Sequence, residues 1–123
     1  MNGPAPVILH IAAAAAWDEA VLRGIYTADS LAAEGFIHCS DARQVVAVAN
    51  RLFRGRTDLV LLRIDVSKLD APVRYENLEG GTELFPHIYG PLPTAAVAHA
   101  APFPPAEDGA FDDRTFRDMV PRG

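Results

Sequence analysis

The chain has 123 residues, half of them hydrophobic and 22% charged, so a single soluble globular domain is expected. Its formal net charge of −5 excludes the broad basic face that nucleic-acid-binding domains carry. No apolar run approaches the ~20 residues that span a bilayer, no charged start precedes an apolar core as in a secretory signal, and the single cysteine, Cys39, allows no internal disulfide; a cytoplasmic protein without membrane contact is expected.

Residues 1–6, with two prolines and a glycine, read as a loose leader. Val7-Ile8-Leu9-His10-Ile11 is β-rich and predicts the first strand. His10 sits inside it between apolar neighbours, either as a core histidine bonded to backbone or as a ligand. Residues 12–23 read as a helix: the run of alanines has high helix propensity, Trp17, Ala20 and Val21 share a face, and Gly24 follows as a left-handed terminus. Residues 25–27 are a short strand candidate. Residues 30–35 form one helical turn, capped by Ser30 and ended by Gly35.

Phe36-Ile37 then makes a short apolar strand that ends in His38-Cys39-Ser40. Asp41 and Gln44 match a capping box, so a helix is expected at once, from about Ala42 to Phe53. Val45, Val48, Ala49 and Leu52 lie on its inner face. Free N–H groups at such a strand-to-helix junction favour an anion or a polar oxygen. Alternation of Leu62, Ile64 and Val66 with Arg63 and Asp65 predicts a strand over residues 59–66 with one buried and one polar face. Residues 73–76 read as a strand ending in Glu76, and residues 77–82 as a mobile loop around Gly80-Gly81. Glu83-Leu84-Phe85-Pro86 leads into His87-Ile88-Tyr89-Gly90-Pro91. Residues 95–100 are a last strand between Pro93 and Pro102. Residues 7–103 thus form the domain. Residues 104–123, with five acids against three arginines, read as a polar tail that is disordered unless Phe111 and Phe116 dock a short helix.

The chemistry-bearing residues fall in two clusters. His38 and Cys39 are strand neighbours and point to opposite faces, so Cys39 is expected to be buried and inert. His38 and Ser40 share a face at i, i+2, with Phe36 below them. His87 and Tyr89 share a face in the same way, on a loop stiffened by Pro86 and Pro91. Glu76 and Glu83 are the nearby carboxylates, suited to act as general base or to hold a ribose hydroxyl. A metal site built from His10, His38 and His87 lacks any paired-ligand spacing, and no metal is expected.

His10-Ile11, Trp17, Gly24 with Tyr26, Leu31, Glu34-Gly35-Phe36-Ile37-His38-Cys39-Ser40, Gln44, Leu61-Leu62, Glu76 and Phe85-Pro86-His87-Ile88-Tyr89-Gly90-Pro91-Leu92 together resemble a bacterial family. It is the domain-of-unknown-function family numbered nine hundred and fifty-two, and the match runs over roughly residues 7–103. That family looks like a compact relative of the ADP-ribosyltransferase fold. The resemblance implies a three-part site: His10 on the first strand, the His38/Ser40 strand end, and a third position at His87, Tyr89, Glu76 or Glu83. It also implies NAD as the cofactor, with His10, Ser40 and Tyr89 as the residues that bind it.

The expected fold is therefore α+β: a small mixed, mainly antiparallel split sheet with two or three helices, ADP-ribosyltransferase-like. Three functional readings are open. The first is a nucleotide- or NAD-binding enzyme acting at ribose, by ADP-ribosyl or phosphoryl transfer. The others are a non-catalytic small-molecule binding module in the same cleft, and a metal-assisted hydrolase.

Overall fold

The computed structural model describes residues 7–78 and 80–117. Strand β1 (Val7–Ala13) pairs antiparallel with β4 (Leu59–Asp65), which pairs in turn with β8 (Val97–Pro102). A second three-stranded sheet has the order β3 (Ile37–His38), β6 (Phe85–Ile88), β5 (Val73–Glu76). A two-stranded ladder joins β2 (Ile25–Tyr26) to β7 (Leu92–Pro93). The helices are α1 (Ala14–Arg23), α2 (Asp29–Glu34) and α3 (Val45–Leu52). The α+β class holds, with three helices. The sheet is split, into three parts, and every ladder among the described residues is antiparallel, so the expected mixed character is corrected. No helix among the described residues is long and apolar enough to cross a membrane.

The β1-β4-β8 sheet is covered on both faces. Ile8, Leu62 and Ile64 pack with Tyr26, Ile37, Ile88 and Leu92 on one side. Leu9, Leu59 and Leu61 pack with Val45 and Ala49 of α3 and with Phe103, Phe111 and Phe116 on the other. The one-sided strand expected over residues 59–66 is thus wrong: Leu59-Val60-Leu61-Leu62 serves two cores, and a strand buried on both faces reads as a nearly continuous apolar run. The polar stretch from residue 104 is packed as far as Arg117, anchored by Phe111 (4% exposed) and Phe116 (5%). Over residues 104–117 it holds turns and bends and no α-helix; the leader 1–6 and residues 118–123 lie outside the described residues.

Local expectations shift where tertiary contacts intervene. Ala12 and Ala13 stay in β1, opposite Val60 and Leu59, although their propensity favours helix. Val21 turns outward and is 55% exposed. The residue before α2 is Ala28, and no side chain caps the helix, so Ser30 is not its cap. The last strand begins after a 3₁₀ turn at Thr94–Ala96 and runs two residues further than expected.

Candidate functional site

The site grows from the two-residue alternation of the β3-β6-β5 sheet. His38 lies directly opposite His87, which lies opposite Arg74, and Glu76 lies opposite Phe85. Side chains opposite one another share a face, as do those two apart along a strand. Phe36, His38, Ser40, Phe85, His87, Tyr89, Arg74 and Glu76 therefore belong to one face. Ile37, Cys39 and Ile88 belong to the other, which is core. Gly35, at φ +87°, ends α2 and turns the chain into this strand. Gly90 closes the opposite end: a Cβ there would stand 2.7 Å from that of Ala71, so only glycine lets the loop pass.

His87 is 4% exposed. Its ring stacks on Phe36, with centroids 4.2 Å apart at 21°. Nδ1 donates to Glu76 Oε1 at 3.0 Å, and the Tyr89 hydroxyl donates to the same oxygen. These two bonds, Tyr89 first, hold the Glu76 carboxyl below its ordinary range. With Nδ1 protonated toward the carboxylate, Nε2 keeps the lone pair; no group among the described residues bonds it. The carboxylate raises the Tyr89 phenol in return, and the Arg74 guanidinium lies 5.0 Å over the Tyr89 ring.

His38 faces this unit edge-on, with ring centroids 5.3 Å apart. Its Nε2 meets Glu34 Oε2 at 3.1 Å, one helical turn back, and half of the side chain is exposed. Ser40 is 5% exposed, its backbone is paired with Leu9, and its hydroxyl has no partner among the described residues.

A cleft of about 380 Å³ opens beside these groups. Its lining combines polar groups, among them Glu34, His38, Ser40, Arg51, Glu76 and His87, with apolar ones, among them Ile11 of β1, Val48 and Leu52 of α3, Leu78 and Phe85. Four of the expected site residues are thus brought together. Tyr89 stands behind them and acts through Glu76, not on the cleft wall.

His10 takes a different place. It borders the cleft, but Nδ1 donates to the His38 carbonyl and Nε2 accepts from the Tyr26 hydroxyl at 2.8 Å. Burial lowers its pKa from 6.5 to about 4, so the ring is neutral, and burial lifts Tyr26 to about 12. Both nitrogens are bonded within the fold, so a ligand contact by His10 would have to replace one of these bonds. The bonded core histidine is what the fold builds. Cys39 is buried, with its thiol pushed up by desolvation, as expected for an inert cysteine.

The helix expected to start beside Ser40 starts later. Gln44 does reach back to the Asp41 N–H at 2.9 Å, one half of a capping box. The Asp41 carboxylate instead accepts from Tyr75 at 3.2 Å, residues 42–44 stay in a turn, and α3 begins at Val45. No helix terminus therefore stands at Ser40 to hold a phosphate. Glu83, the alternative carboxylate, accepts from Gln44 at 3.2 Å and is not on the cleft wall.

Two contributors escaped the sequence reading. Glu34 was legible as the i, i+4 partner of His38 across the α2 terminus. Gln44, 3% exposed, fastens the start of α3 to the Leu84 carbonyl at 2.8 Å, a cross-chain contact that no local pattern announces. Among the described residues no three His, Cys, Asp or Glu side chains are grouped to hold a metal ion.

The chain is similar to protein CC0527 from Caulobacter crescentus. The crystal structure of that protein is 33% identical, covers 87% of this chain and 94% of its own, and has a TM-score of 0.78. Its solution NMR structure is 32% identical, covers 93% of this chain and 96% of its own, and has a TM-score of 0.77. No curated protein matches the chain. Residues 11–100, which carry both the His38 and the His87 strands, match the model described as "Protein of unknown function (DUF952)", and the chain belongs to that family.

Proposed function

We propose that the cleft is the active site of a small-molecule transferase that binds a nucleotide-type ligand, NAD included, and acts at its ribose. The observation that carries this is the buried His87 ring on the cleft wall, oriented by Glu76 through Nδ1, with no bond at Nε2 among the described residues. In ADP-ribosyl transfer a base held in this way takes the proton from an acceptor hydroxyl as its oxygen bonds to ribose C1′ and the bond from C1′ to the nicotinamide ring nitrogen breaks, the electron pair leaving with neutral nicotinamide; Glu76 stabilises the imidazolium that forms. ADP-ribosyl or phosphoryl transfer is the reaction class that the resemblance to the ADP-ribosyltransferase fold suggests. In that frame the third position is filled by Glu76 and His87 acting as one unit, backed by Tyr89. His10 contributes by fixing the His38 carbonyl rather than by touching ligand.

Incubation with NAD and a nucleotide panel, followed by calorimetry and by mass spectrometry of the ligand, tests the proposal. Saturable binding with slow ligand consumption is expected, and consumption is lost in His87→Ala. Absence of heat with every compound at millimolar concentration sinks it. A second reading, a non-catalytic binding module, is favoured by the tight Phe36–His87 stacking. Binding that leaves the ligand intact and is indifferent to Glu76→Gln selects that reading instead.

A further inference from the structure

The lining of the cleft is chemically lopsided in two respects, and both bear on which part of a nucleotide it would take. The first is charge. Among the described lining residues, two carboxylates, Glu34 and Glu76, stand against one guanidinium, Arg51. His38 and His87 add positive charge only when protonated, and each ring is already bonded to one of those carboxylates. The chain as a whole carries −5. A diphosphate bound here would meet a like-charged wall, and repulsion between like charges at close range costs more inside a cleft than in open water. Phosphate-binding sites answer this with helix N-termini or basic clusters. The junction after Ser40 has neither: the Asp41 N–H is taken by Gln44, and α3 does not begin until Val45.

The second is size and apolar surface. A volume of about 380 Å³ lies near the small end of the range of roughly 300–1,000 Å³ typical of ligand pockets. Leu52 and Leu78 line the cleft yet are 59% and 58% exposed. With Val48, Ile11 and Phe53 they give the same cleft that holds Ser40 and His87 a large apolar lining, chemistry suited to a flat ring whose attached hydroxyls meet the polar groups.

We propose that the cleft recognises an uncharged or cationic nucleoside, its ring against Leu52, Leu78 and Val48 and its ribose hydroxyls toward Ser40 and His87, and that any phosphates remain outside. This rests on the nucleotide reading above and narrows it to the base and sugar. Phosphates oppose binding rather than add to it.

Calorimetric titration of the full chain with adenosine, nicotinamide riboside, AMP and NAD tests this at low ionic strength. Adenosine and the cationic nicotinamide riboside are expected to bind at least tenfold more tightly than AMP or NAD, with a negative heat-capacity change from apolar burial. Added salt narrows the gap, because it screens the repulsion. Leu52→Asp, at an exposed position, is expected to keep the fold, checked by circular dichroism, and to weaken adenosine more than tenfold. AMP or NAD binding as tightly as adenosine overturns the inference while leaving the broader function standing. Unchanged adenosine affinity in Leu52→Asp overturns the apolar seat. No binding by any of the four compounds overturns the inference and the nucleotide reading together.

Discussion

Two buried imidazoles, His10 at 7% and His87 at 4% exposure, sit in neighbouring parts of the same small domain and do different things. His10 lies where β1 meets Tyr26, and both of its nitrogens are satisfied from within. His87 lies where β6 meets β5 and lines the cleft, and among the described residues only its Nδ1 is bonded. Burial alone therefore does not separate a structural histidine from a chemical one. What separates them is whether the hydrogen-bonding inventory of the ring is closed.

Removing each ring breaks this comparison most directly. His87→Ala is expected to reduce ligand turnover by about 100- to 10,000-fold, the usual worth of a general base. Loss of this buried, stacked ring also lowers the urea midpoint, but Glu76 keeps Tyr89 as a partner and the drop should be smaller than in His10→Ala; a variant that turns over ligand normally would place the chemistry elsewhere. His10→Ala should show the reverse weighting. It leaves the Tyr26 hydroxyl and the His38 carbonyl unpaired and opens a cavity, together about 3–4 kcal/mol of stability by urea denaturation. His10→Gln, which can bond at least one of the two partners, should recover part of the loss.

Acid sharpens the same contrast. His10 binds protons less readily when folded, near pH 4, than when unfolded, near 6.5. Its stabilising contribution is therefore fully present above about pH 6.5 and is lost as pH falls toward 4, a loss of about 3 kcal/mol. Glu76, also depressed in the folded state, adds acid lability of the same sign. Denaturation midpoints measured from pH 7 to 4 should fall steeply in the parent chain and less steeply in His10→Gln; parallel curves would show that the ring is not held neutral. The smallest effect belongs to Tyr89→Phe. Without the phenol, the carboxyl of Glu76 is expected to titrate at higher pH, because the larger of the two hydrogen bonds that depress it is gone. The acid limb of any pH–rate profile should move upward with it.

How much of this could be read from the chain alone depended on whether a feature was local. Alternation placed His38 with Ser40 and His87 with Tyr89 on shared faces, because strand geometry fixes residues two apart. The link from Glu76 to His87 and Tyr89 was invisible, because it depends on the β5–β6 register, with Arg74 opposite His87. His10 was undecidable from its neighbours, since its partners are the Tyr26 hydroxyl and the His38 carbonyl, 16 and 28 residues away. The alanine run misled because pairing with β4 outweighs propensities that differ by less than about 1 kcal/mol per residue. The Asp41-Gln44 pattern misled because Tyr75, on another strand, claims the capping carboxylate. Phe111 and Phe116 were the readable signal in an otherwise polar stretch, and they proved to belong to the core.

That last stretch has a consequence for the cleft. Val45 and Ala49 of α3 rest on the layer built from Phe103, Phe111 and Phe116, while Val48 and Leu52 of the same helix form the ligand wall. The rear of the helix is thus braced by Phe103, Phe111 and Phe116. Clipping by a protease near residue 104 would loosen that brace, and the damage would register as weaker ligand capture on the far side of α3.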